Sequence, residues 1–409
     1  MRLAYLFTPA VMIAAAAHAA PLTFEAALQL ADSSAPSLEA KQDDLRAARA
    51  AAIAAGRLPD PKLALGVEGF PISGPMAFRP TRDDFSDVRL GLMQDVPNGA
   101  KRRSAKERAA ADIEMARVGR AGEARNVRLG AALAWVDLYY AERRLATLDE
   151  VAHALAQLQG TAAARLASGA ARPSEALQPE QWIAALADRR AVLVADVGKA
   201  RAELTRWTGD DRPEVAGSPP EYVIDPTGLR AGLDELPFLT IYEASARQAD
   251  ADVAAAKADR RPDTSWELAW QHRDPRFGDM VMAQVTVGLP LFSATRQDPI
   301  IEARAQTAAG VRIEREAARR ELLAALDSSL ADHVMHHEQL TRASNVLLPL
   351  AQRRADLETA SYAAGTASLS DVLGALLALA EAHTAVVDHQ AEVERDAVRI
   401  ALTYGRDAQ

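Results

Sequence analysis

Three histidines, His333, His336 and His337, are spaced i, i+3 and i+4. On a helix that spacing lets two or three imidazoles share a face, an array that binds a soft or borderline cation. It equally suits histidines that are solvated or packed into a helix seam. Two carboxylates raise a second chemistry. Glu175 and Asp371 each follow a serine, Ser174 and Ser370, a few residues after a glycine. At a helix start such an acid stabilises unpaired N–H groups and the helix dipole. Covalent chemistry has no candidate residues. The sequence has no phosphate-binding glycine loop, no His-Glu-x-x-His and no nucleophile elbow, and it contains no cysteine. No catalytic residue or cofactor is assigned, and any energy must come from a partner.

The two acids belong to two versions of one turn. "RLASGAARPSEAL" (Arg165 to Leu177) is a degenerate copy of "SYAAGTASLSDVL" (Ser361 to Leu373), with Gly169 and Gly365 separated by 196 residues. Self-similarity at a fixed offset marks a duplicated architecture. Gly169 and Gly365 supply positive φ for a reversal between packed helices, and Ser174 and Ser370 are placed to cap the outgoing helices.

The elements around the turns repeat in the same order. Residues 1–19 read as a signal peptide: a positive start, an apolar run and an Ala-x-Ala site. The first repeat covers 20–208, a Pro-, Gly- and Asp-rich linker 209–236, and the second repeat 237–409. In each repeat a helix precedes two strands with a period of two. Leu63, Leu65 and Val67 alternate with Ala64, Gly66 and Glu68; Val88, Leu90 and Leu92 alternate with Arg89, Gly91 and Met93. Trp266, Leu268 and Trp270 alternate with Glu267, Ala269 and Gln271; Val281, Val285 and Val287 alternate with Met282, Gln284 and Thr286. From Ala100 to Ala167 there is no proline, which predicts a helix roughly 100 Å long at 1.5 Å per residue. The second repeat has a matching helix, broken at most near Pro349, and a last helix to about Tyr404.

A net charge of −9 disfavours nucleic acid as a partner. No stretch after the signal reads as a membrane-spanning apolar helix. Each strand, however, has an apolar face of the length that a tilted strand needs to cross a bilayer. Four strands cannot close a barrel, and open edges are not tolerated in lipid. Three chains supply 12 strands, an even number in the known range. The other reading is an ordinary half-buried sheet in a soluble periplasmic coiled-coil scaffold.

The segment from Ser361 to Gly405 resembles the closing part of the TolC outer-membrane efflux family: an aromatic residue, Gly-Thr, Asp-Val-Leu, a helix and a final glycine. "LMQDVPNGAKRRSAKERAAA" is similar to the Gln…Gly-x-Lys-Arg stretch of its heavy-metal branch (cobalt–zinc–cadmium and copper–silver). The resemblance implies an α+β membrane protein: antiparallel helical hairpins forming a periplasmic tunnel, and four strands contributing to a trimeric 12-stranded barrel. It implies a homotrimer in outer-membrane lipid, working with a periplasmic adaptor and an inner-membrane pump of the RND type. Heavy-metal cations are the preferred cargo; drugs or polypeptides are the alternative. It places Gly169, Ser174, Tyr362, Gly365, Thr366 and Ser370 at the periplasmic tip where the adaptor docks, and Glu175 and Asp371 at a constriction. Ala367 and Gly374 depart from the family's best-known pattern, which has an arginine and a second acid there, so a two-ring gate is not carried over.

Overall fold

The computed structural model describes residues 21–82, 84–167 and 178–405. The leader and the first turn, including Gly169, Ser174 and Glu175, lie outside the described residues. Along the chain, α1 (Phe24–Ser34) and α2 (Pro36–Ala54) lead into β1 (Lys62–Glu68) and β2 (Asp87–Val96). The 69-residue α3 (Gly99–Ala167) and α4 (Gln178–Thr208) follow, then α5 (Pro226–Gly232) and α6 (Pro237–Ala258). β3 (Asp263–His272), β4 (Met280–Gly288), α7 (Gln297–Arg342), α8 (Leu348–Ala363) and α9 (Leu369–Tyr404) complete the order.

Two compact units result. The helical unit draws on Met1–Ala35, Arg125–Asp225 and Asp327–Ala408, and the sheet unit on Pro36–Ala124 and Pro226–Leu326. Both halves of the sequence therefore contribute to both units.

In the helical unit, Trp135, Leu138, Leu204 and Val398 are fully buried. Trp135 meets Phe24 edge-on at 5.5 Å and stacks on Tyr139 at 5.4 Å. Its indole N–H donates to the Leu22 carbonyl at 2.8 Å, so the buried polar edge is satisfied. Leu22 also forms a short parallel bridge with Val215. The stretch 209–236, expected to be only a linker, thus carries an ordered contact, the short helix α5, and buried Leu233 and Leu236. Its Pro and Gly content signalled breaks in regular structure but could not reveal packing.

α7 and α8 are joined by a π-helical segment, Ala343–Leu347, immediately before Pro349. Proline lacks the N–H that a continuous helix needs, and a widened turn absorbs the mismatch. The interruption expected near Pro349 takes this form. α9 is the one described helix long and apolar enough to cross a membrane, against the expectation that no stretch would qualify. One face of it packs inside the helical unit: Val372, Leu373, Ala375 and Ala380 are buried. Its Asp388 and Glu381 pair with Arg144 and Arg189.

The sheet unit holds one antiparallel sheet in the order β1-β2-β3-β4. The central pairing, β2 with β3, joins the two hairpins. Asn98 fixes the sheet to the helices. Its side-chain oxygen accepts from the N–H groups of Ala100 and Lys101, capping α3. Its amide donates to the Ala258 carbonyl and to Asp263. Lys101 then reaches Asp259 at 2.8 Å and Asp263 at 2.5 Å. Burial alone would lower the pKa of Lys101, but these two carboxylates outweigh it and raise it. Beside this staple, Arg102 donates to the Gly56 carbonyl at 2.9 Å. Gly56 has φ of +66°, and a Cβ there would lie 2.3 Å from the Arg102 carbonyl oxygen. Gly56→Ala should therefore destabilise by about 3 kcal/mol, combining left-handed strain with overpacking. Gly365→Ala, where φ is +79° but the space is open, should cost about 1 kcal/mol. Thermal unfolding followed by circular dichroism tests the order of the two.

Candidate functional site

The sheet presents two chemically opposite faces. Cross-strand register pairs Leu63 with Leu92, Leu65 with Leu90 and Val67 with Val88. It extends the same face through Leu90–Trp270, Leu92–Leu268, Trp266–Val285 and Trp270–Val281. The large apolar residues of that face on the four strands are at least 40% exposed, except Val96 at the end of β2, which is half-buried. A continuous apolar patch of this extent marks a membrane or protein contact rather than a water-facing wall. On the other face Arg89 forms ion pairs with Glu68 on β1 and Glu267 on β3. One guanidinium thus clamps three strands, and its two bonds prove that these residues share a face. Gly91 makes room for the clamp, since a Cβ there would lie 2.7 Å from the Glu267 carboxylate. The alternation read from the sequence is the alternation of the fold.

The second candidate region is the turn between α8 and α9. Gly365 has φ of +79° and donates its N–H to the Tyr362 carbonyl at 3.0 Å. Thr366 closes the end of α8, its N–H and hydroxyl both donating to the Ser361 carbonyl. Tyr362 packs against the buried cluster of Leu148, Leu186, Leu369 and Leu373. The expected cap, Ser370, is not the cap. α9 begins after Ser368, whose hydroxyl accepts from the Asp371 N–H at 3.2 Å, while the Asp371 carboxylate accepts from the Ser368 N–H at 3.0 Å. This reciprocal capping box places Ser370 inside the first turn and exposed. The Ser-x-x-Asp spacing was present in the sequence and favours Ser368, because the box needs partners three positions apart. The Ser368 hydrogen bonds hold the Asp371 carboxyl below its usual range. Asp371 is thus a helix cap that also keeps an exposed negative charge.

The histidines do not converge. His336 bonds through Nδ1 to Asp396 on α9 at 2.7 Å. His333 is partly buried; burial, the largest influence, lowers its pKa against the opposing pull of Asp396. His337 is exposed. Among the described residues no group of three or more His, Asp or Glu side chains is arranged to hold a cation. The i, i+3, i+4 spacing put the imidazoles on one helix, but the carboxylate that claims His336 comes from another.

Three solved structures show what this architecture resembles. A membrane protein from Pseudomonas aeruginosa superposes with a TM-score of 0.81 at 17% identity, over 93% of this chain and 90% of that one. CusC, studied for folding and transmembrane channel formation, gives 0.81 at 15% identity, over 93% and 92%. The Campylobacter jejuni CmeC outer membrane channel gives 0.78 at 13% identity, over 93% and 85%. The fold is that of an outer-membrane channel. No protein-family profile matches the sequence, and no curated protein matches it. The fold is thus shared with these structures at 13–17% identity.

The Asn98 staple and the Arg89 clamp were not singled out from the sequence, because each depends on partners far along the chain. Ser368→Ala should lower stability by about 1 kcal/mol, while Ser370→Ala stays near neutral. The Asp371 carboxyl is depressed on folding, so its stabilisation is complete above the ordinary Asp value of about 4 and is lost as pH falls through the depressed value. Hydrogen exchange at the Val372 and Leu373 amides between pH 6 and pH 3 checks both statements.

Proposed function

We propose that this chain is one third of a passive exit duct through an outer membrane. Three copies close a 12-stranded barrel, with most of each chain in the periplasm. The duct works with a periplasmic adaptor and an inner-membrane pump, of the RND type, that supplies the energy. The observation that carries this reading is the two-faced sheet: an exposed apolar face opposite a charged one, on four strands of which β2, β3 and β4 have the 9 or 10 residues a tilted strand needs to cross a bilayer and β1 has 7. A soluble scaffold has no use for that apolar face.

The tip residues Tyr362, Gly365, Thr366 and Ser370, with their counterparts Gly169 and Ser174, form the adaptor-docking end, and Asp371 with Glu175 lines its constriction. Heavy-metal cations are the proposed cargo. The Gly-x-Lys-Arg stretch that prompted this cargo serves the fold, since Lys101 and Arg102 are both engaged at the sheet junction. Cargo chemistry must then lie on the wall of the duct.

The mature protein should purify as a trimer only in detergent, by mass measured in the micelle. A water-soluble monomer would overturn the reading. Leu65→Arg, on the apolar face, should cost about 2–4 kcal/mol and lower the yield of inserted protein. Ala64→Arg, on the opposite face, should leave insertion close to normal. Membrane-fraction yields of the two variants provide the comparison.

A further inference from the structure

The charged face of the sheet carries large non-polar side chains of one kind only. Met93, Met280 and Met282 stand in alternation with Arg89, Glu267 and Gln284. No leucine, isoleucine, valine or aromatic residue shares that face on the four strands, and no methionine stands on the opposite one. Packing alone would draw on leucine and valine as readily as on methionine. The segregation selects for the thioether.

The register sets the methionines in steps. Met93 lies in the row of Glu267 and Gln284, Met282 in the row of Ala269 and Gly91, and Met280 in the row of Gln271 and Arg89. Successive rows are about 7 Å apart. Met76, in the β1–β2 loop at the same end of the sheet as Met280, is also exposed. Met280 and Met282 are two apart on one strand, so their side chains point the same way. Three rotatable bonds each let the two sulfurs converge on one ion.

We propose that Met280 and Met282 form a soft-cation site on the duct wall, with Met93 and Met76 as neighbouring steps. The site takes monovalent copper or silver, the ions that thioethers prefer, and passes over zinc and harder cations. Binding releases no proton and changes no oxidation state. Neutral thioethers hold such an ion without trapping it, as conduction requires. The site deepens the duct reading and rests on it for the direction of the wall.

The test uses the full-length mature protein in detergent, with silver nitrate in chloride-free buffer as probe and methionine methyls labelled with 13C. Silver should shift the Met280 and Met282 methyl resonances before that of Met115, which lies on α3. Met280→Leu with Met282→Leu keeps the volume and should lose part of the silver uptake, while zinc uptake is unchanged. Silver uptake equal in the double variant and the wild type overturns the site. Single-channel current of the wild type in planar bilayers separates this from the duct reading. Current with unchanged silver uptake sinks the site and leaves the duct. Methionine-dependent silver uptake without current keeps the site and sinks the duct.

Discussion

Within one chain the sheet is unfinished on two counts. β1 and β4 have no outer neighbours among the described strands, and the apolar face they share with β2 and β3 is uncovered. In water each defect is costly: an unpaired edge invites aggregation, and an apolar patch of that size seeks a partner. In lipid the apolar face is at home, but the unpaired N–H and C=O groups of an open edge become more costly still. The proposed closure by identical edges would remove that cost, with every β4 meeting a β1. The account of this protein follows from that single constraint.

The remainder of the sheet unit makes such a wall stiff and joins it to helices. Arg89 ties three strands across the polar face. Asn98, Lys101 and Asp263 fasten the start of α3 to the start of β3. Gly56 admits the close passage of Arg102 at the end of α2. Asn98 and Lys101 with Asp263, and Arg89 with Glu267, bring together residues from both halves of the sequence, so neither half builds the junction alone.

Much of this was legible in the sequence because it rests on local period. Alternation of two in "KLALGVE" and "TSWELAW" fixed which residues face which way, and the long proline-free run gave α3 within a residue of its start. What escaped depends on partners distant along the chain. The His336 partner, Asp396, is 60 residues away, so helical spacing suggested a cation site where an ion pair stands. The Asn98 role needs Ala258 and Asp263. The cap of α9 was missed by two residues for a different reason: Ser368 and Ser370 both precede Asp371, and only the capping-box spacing separates them. In the stretch 209–236, turn-forming composition concealed the Leu22–Val215 bridge.

The central claim is that one face of the sheet lies in lipid and the other in water. The sequence contains no cysteine, so a nitroxide attached at a single introduced cysteine reports one position without background. The decisive measurement is the relaxation of labels at residues 63 to 67 and 89 to 93, in reconstituted vesicles, by oxygen and by a water-soluble nickel chelate. Labels at Leu63, Leu65, Val67, Leu90 and Leu92 should respond to oxygen and be shielded from nickel, with the reverse at Ala64, Gly66 and Met93. Nickel reaching both faces alike, with no period of two, would contradict the account.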